Sequence, residues 1–145
     1  MGALPKLLLS LVFTCAAHAE FLRIEVSMKD MNCLSCSDSM GKAFERMRGV
    51  KRVDVNAEKG TVALELAEQN RVTIEQVWDT IKRIGFTPGD TTVTVRGSVS
   101  GDSLKISVID KVISLEGRAT DGENVELKGT ITPPPDPRTP MKLRL

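Results

Sequence analysis

Lys29–Asp38, KDMNCLSCSD, sets Cys33 and Cys36 two residues apart, with Met31 just upstream. A thiol pair this close serves as a metal clamp, a redox switch or a structural disulfide. Its flanks say where the pair sits. From Phe21 the chain alternates, with Ile24, Val26 and Met28 on one strand face and Arg23, Glu25 and Ser27 on the other. After the pair, Met40, Ala43, Phe44 and Met47 recur at helical spacing, and Gly49 stops the helix. The thiols therefore fall between a strand end and a helix start.

The same periodicities continue downstream. Val50, Val53 and Val55 begin a second strand, "NAEKG" (56–60) is a turn, and "TVALEL" (61–66) returns as a third strand. Thr73 and Gln76 form a capping-box signature, with Val72 and Val77 at staple positions. Ile74, Val77, Trp78, Ile81 and Ile84 make the apolar stripe of a second helix ending at Gly85. Thr91–Arg96 alternates as a fourth strand, with Val93 and Val95 inward. Strand, helix, strand, strand, helix, strand is the α+β, ferredoxin-like βαββαβ order, with both helices on one face of an antiparallel sheet.

After Gly97 helical periodicity disappears. "SLKISVID", "KVISLEG" and "ENVELKGTI" read as short strands, and Asp121-Gly122 as a hairpin turn. "TPPPDPRTP" (132–140) cannot pair in a sheet and reads as extended polyproline. The expected organisation is a domain over 20–96, a β-rich extension over 97–132 and a proline-rich tail over 133–145. The pattern leaves open whether the extension folds alone or adds to the first sheet; at about 36 residues, without a disulfide or histidine-bound metal, docking on the first domain is the expectation.

Residues 1–19 read as an export signal: Lys6, the apolar run "LLLSLVFTCAA", and "AHA" as a cleavage site before Glu20. The run is shorter than the ~20 apolar residues that span a bilayer, so no stable membrane insertion is expected after its removal. Phe13 and Thr14 stand where a lipoprotein peptidase wants small residues, which argues against a lipid anchor on Cys15. The expected location is periplasmic or secreted. His18 and Cys15 leave with the leader. The mature chain then has no histidine, which removes Ser–His triads, Cys–His pairs and imidazole ligands. Cys33 and Cys36 remain as its thiols.

With 20 basic against 19 acidic residues the chain carries no field for a polyanion. Four Phe, one Trp and no Tyr leave no stacking platform for nucleic acid. A helix N-terminus stabilises negative charge and is expected to lower the pKa of Cys36 and of Cys33. Two thiolates are soft donors suited to Cu(I) and its relatives, whereas tetrahedral zinc wants four ligands. Asn32, before Cys33, is neutral and supplies no anionic oxygen.

"MNCLSC", the helix after it, "GVKRVDV" (49–55) and the "IGF" (84–86) that closes the second helix resemble the heavy-metal-associated domain family over about residues 21–96. That family includes copper chaperones, N-terminal modules of metal-transporting P-type ATPases and periplasmic mercury-binding proteins. The resemblance implies that Cys33 and Cys36 bind Cu(I) or, alternatively, Hg(II). Met31 would pack beneath the loop, and Phe86 would shield the site without charge. It implies a non-enzymatic carrier that passes its ion to a P-type ATPase or another CxxC acceptor. Asp30 departs from the glycine common in the family and adds a carboxylate.

Competing readings stand beside it. A thiol-disulfide oxidoreductase also places CxxC at a helix start, but "CLSC" lacks the aromatic and proline expected there. A mercuric-ion scavenger would use the same thiols. A disulfide across so short a span constrains little chain entropy and stabilises little. Met28, Met40 and Met47 read as core, and Trp78 as a core anchor. Lys42, Arg46, Arg48, Lys51 and Arg52 form either a solvated face or a docking patch for an acidic partner.

Overall fold

A computed structural model describes residues 2, 19–29, 31 and 33–145. The leader apart from Gly2 and Ala19, together with Asp30 and Asn32, lies outside the described residues.

Strand β1 (Glu20–Met28), helix α1 (Leu34–Glu45), strands β2 (Val50–Asn56) and β3 (Thr61–Leu66), helix α2 (Ile74–Ile84) and strand β4 (Pro88–Ser100) follow in the expected order. Their sheet runs β2-β3-β1-β4, all antiparallel, which is the ferredoxin-like arrangement. Ile24 pairs with Leu64 on one side and Val93 on the other, and all three are fully buried. Phe44, Met40, Val77 and Ile81 close the core from the helices.

α2 starts with the capping box that Thr73 and Gln76 announce, each side chain bonding the other residue's backbone N–H. Gly85 ends it at φ 104°, a left-handed conformation that favours glycine. α1 ends at Glu45, capped by Arg46, so Met47 lies in the turn before Gly49 rather than on the helix. Trp78 is a core anchor whose indole N–H donates to Thr91 Oγ1 at 2.9 Å.

The second half departs from the expected organisation. β4 runs unbroken through the boundary placed after Arg96 and serves both halves of the molecule. Beyond it come β5 (Ser103–Ile106), a 3₁₀ turn (Ser107–Ile109), β6 (Lys111–Glu116), β7 (Gly122–Ile131) and β8 (Lys142–Arg144). β7 pairs with β4 from Thr91↔Ile131 to Val99↔Gly122. The other edge of β4 is shared by β1 and, over Ser98–Ser100, by β5. β5 pairs with β6, β6 runs parallel to β8, and β8 pairs with β7. The circuit β4-β5-β6-β8-β7 returns to β4 and forms a closed five-stranded barrel of OB type.

Two expectations are revised by this closure. Asp121-Gly122 is not a two-residue hairpin. Gly122 opens β7, and β8 stands between β6 and β7, so those strands are joined across a gap. Asp121 instead accepts from the Gly101 N–H at 2.9 Å. Residues 133–145 are not a separate tail, because Lys142–Arg144 close the barrel and Leu143 is fully buried. The prolines stay unpaired in the β7–β8 connection, as their missing N–H requires.

Gly97 marks where β4 passes from sheet into barrel. A Cβ there would lie 2.6 Å from the Lys105 carbonyl oxygen and 2.8 Å from Leu104 Cδ1. Leu104, Ile106, Ile113, Leu115, Ile131 and Leu143 fill the barrel and belong to the same apolar cluster as Ile24 and Phe44. Polar ties reinforce the join: Thr132 Oγ1 donates to Asp90 at 2.7 Å, Arg144 donates to Thr132 Oγ1 at 3.0 Å, and Lys111 pairs with Glu75. Thus the extension does dock on the first domain, by sharing a strand with it.

Candidate metal centre

The thiol loop leaves the sheet at Met28, beside Pro88 at the start of β4. This pairing brings Met28 and the 85–87 connection to the same end of the sheet. Met28 N–H donates to the Gly60 carbonyl at 2.7 Å, which anchors the loop's origin. Met31 is 4% exposed and belongs to the core cluster.

Cys33 is the N-cap of α1, with extended backbone at φ −120°, ψ 138°. Its sulfur accepts from the Cys36 backbone N–H at 3.2 Å. A cap of this kind satisfies one of the free amides of the first turn, a role more often filled by a Ser, Thr, Asp or Asn oxygen. Ser35 Oγ stands 3.6 Å from the same sulfur. Cys36, one turn into the helix, is half-buried and packs on the core. The Cα atoms of the pair are 5.3 Å apart, and the sulfurs are joined as a disulfide. In this oxidised form neither cysteine titrates. Holding an ion requires two-electron reduction to the dithiol.

Phe86 follows the Gly85 cap, its N–H donating to the Ile81 carbonyl at 3.2 Å, and its half-buried ring packs on the core. Among the described residues no cluster of three or more His, Cys, Asp or Glu side chains forms. The pair therefore has no His, Asp, Glu or further Cys completing such a cluster among them. Lys42, Arg46, Arg48, Lys51 and Arg52 are all exposed. Ser35 went unremarked in the sequence, where its signal was a hydroxyl two residues past the N-cap. No described helix is long and apolar enough to cross a membrane.

Comparison with known proteins places this geometry in a family. The model of the heavy-metal-associated domain matches residues 25–87. An uncharacterised protein of Haemophilus influenzae is 33% identical over 82 residues, covering 56% of this chain and 87% of that protein. The chain belongs to the heavy-metal-associated domain family. Among solved structures, the CopZ metallochaperone is 26% identical over 46% of this chain and 97% of its own, with a TM-score of 0.43. A copper binding domain from HMA7, a P-type ATPase, is 24% identical over 50% and 92%, also at 0.43. Oxidised MerP from Ralstonia metallidurans CH34 is 19% identical over 47% and 93%, again at 0.43.

Proposed function

We propose that this protein is an exported, non-enzymatic carrier of a soft metal ion, Cu(I) first, held between the thiolates of Cys33 and Cys36. The observation that carries the reading is the placement of both sulfurs at the N-terminus of α1, Cys33 as its N-cap and Cys36 in its first turn. Backbone amides and the helix dipole there favour thiolate charge. Soft, low-coordinate ions accept such a pair, and Hg(II) shares this chemistry. Met31 supports the loop from the core and Phe86 shields it without adding charge.

Transfer follows from the low coordination number. A two-coordinate ion leaves room for a thiolate of an incoming CxxC pair, such as that of a metal-transporting P-type ATPase. The ion then passes through a shared intermediate without being released. Residues 1–19 would direct the chain to the periplasm or outside the cell, with processing before Glu20.

The disulfide favours one second reading, a thiol-disulfide oxidoreductase cycling Cys33 and Cys36 through a mixed disulfide. One experiment separates the two. The reduced protein is loaded with Cu(I) and mixed with a CxxC acceptor domain, and the metal-free protein is assayed for disulfide isomerase turnover. The carrier predicts metal exchange faster than chelator-driven release and little turnover. Isomerase turnover without protein-to-protein exchange overturns it.

A further inference from the structure

A ferredoxin-like sheet of order β2-β3-β1-β4 has two outer strands, β2 and β4. In this chain β4 gains β7 and β5 as neighbours, and the barrel closes on itself. Closure removes those edges, so β2 (Val50–Asn56) is the one open edge of the sheet among the described residues. An open edge presents unpaired N–H and C=O groups that a further strand takes up.

The charges along β2 say which strand fits. Val53 and Val55 are half-buried and pack on the core, while Arg52 and Asp54 are exposed. Arg23 of β1, which also pairs with Glu25, stands opposite Glu65 of β3, and Glu65 stands opposite Arg52. Across the sheet this row runs plus, minus, plus, and it ends at Arg52. Neither Arg52 nor Asp54 has an ion-pair partner among the described residues. Opposite charges directly across strands attract and like charges repel, so the row is best continued by a carboxylate.

A second copy of β2 supplies one. A two-fold axis normal to the sheet keeps the helices of both copies on one face, and it must pass beside a residue of β2. Centred on Val53, it sets Arg52 opposite Asp54 of the second copy and Asp54 opposite the copy's Arg52, while Val53 meets Val53. Centred on Arg52 or on Asp54, it sets that charge against itself. The Val53 register alone satisfies both charges. A foreign strand gains the same backbone bonds but matches these charges only if it carries them in reverse order, as this strand does by symmetry. With 20 basic and 19 acidic residues, two copies also carry almost no net repulsion.

We propose that β2 is an interface at which a second copy of this chain adds its own β2, antiparallel and centred on Val53, to make one sheet across two molecules. The irregularity between Val50 and Arg52 keeps the regular edge short, so the dimer is reversible and depends on concentration. Ser27 and Asn56 both stand opposite Thr61, so the thiol loop leaves the sheet at the end where β2 finishes. The two-fold axis then sets the two thiol loops at opposite ends of the joined sheet. No thiol takes part in the pairing, so it stands or falls apart from the carrier reading.

The test uses the full chain with Cys33→Ser/Cys36→Ser, under reductant and chelator, which removes dimers bridged by sulfur or metal. Sedimentation velocity from about 5 µM to about 1 mM should show a monomer–dimer equilibrium. Arg52→Asp and Asp54→Arg each create two like-charge pairs across the axis, so each should weaken dimerisation about tenfold or more. Both positions are exposed, and circular dichroism checks that both variants stay folded. Mixing the two variants restores opposite charges at both pairs, so the mixture should dimerise where neither variant alone does. A chain still monomeric at about 1 mM leaves the edge to a strand of another protein and overturns the proposal. So does a dimer that neither variant weakens, or a mixture no more dimeric than its parts.

Discussion

The sulfur of Cys33 accepts the backbone N–H of Cys36 at 3.2 Å, so one cysteine caps the helix whose first turn carries the other. The helix terminus thus acts on both thiols together. It holds their spacing in the disulfide form, with the Cα atoms 5.3 Å apart.

The first prediction concerns metal affinity. Replacing Cys33 or Cys36 by Ser exchanges a soft thiolate for a protonated hydroxyl, and Cu(I) affinity should fall by well over about 100-fold, beyond what loss of an outer partner costs. Binding releases thiol protons, so wild-type affinity should decline as pH falls through the thiol range. Competition against a Cu(I) chelator at several pH values measures both. Stoichiometric binding by the double Ser variant would place the site elsewhere.

Gly97→Ala tests the passage of β4 into the barrel. The added methyl meets the Lys105 carbonyl and the Leu104 side chain, and neither can move without disturbing β5. A loss of about 1–3 kcal/mol is expected from urea unfolding, the usual cost of overpacking. A Gly97→Ala chain as stable as wild type would mean that β4 and β5 separate easily.

Leu143→Ala tests whether the last strand belongs to the core. Leu143 is fully buried between Leu115 and Ile131, so truncation should cost about 2–5 kcal/mol. Removing residues 133–145 should do worse, exposing the edges of β6 and β7 and promoting aggregation. Size-exclusion chromatography of the shortened chain reads this directly, and a stable monomer would show β8 to be dispensable.

Lys111 gives a pH signature. Burial lowers its pKa below the ordinary 10.5. Between the lowered folded value and 10.5 the unfolded chain holds more protons than the folded one, so stability from this group rises with pH across that window. Lys111→Met should flatten that rise, measured by urea unfolding in the Cys33→Ser/Cys36→Ser background to keep the thiols from titrating. An unchanged slope would remove Lys111 as its source. The gain is small, because the side chain keeps 25% of its exposure.

Much of the first half was legible in the chain itself. Ile24, Val26 and Met28 alternate, and Ile74, Val77, Trp78 and Ile81 recur at helical spacing, because each element buries one face of its own local period. The Thr73–Gln76 box and the glycine at 85 mark helix ends through bonds a few residues long. The thiol pair's place at a helix start followed from the same local pattern.

Pairings between distant segments were decided only by the tertiary structure. Alternation carries on past Arg96 to Val99, but nothing local shows that the neighbour of β4 changes there from β1 to β5. Three residues after a proline run hold no period from which β8 can be read, yet Leu143 closes the barrel by parallel pairing with a strand some thirty residues earlier. Asp121-Gly122 has the local chemistry of a hairpin, but β8 occupies the place where the hairpin partner would lie. The sequence by itself determined the elements of the first half, the helix caps and the position of Cys33 and Cys36, since those rest on short-range geometry. The shared strand and the barrel came from packing, which rewards burial between segments that no local pattern connects.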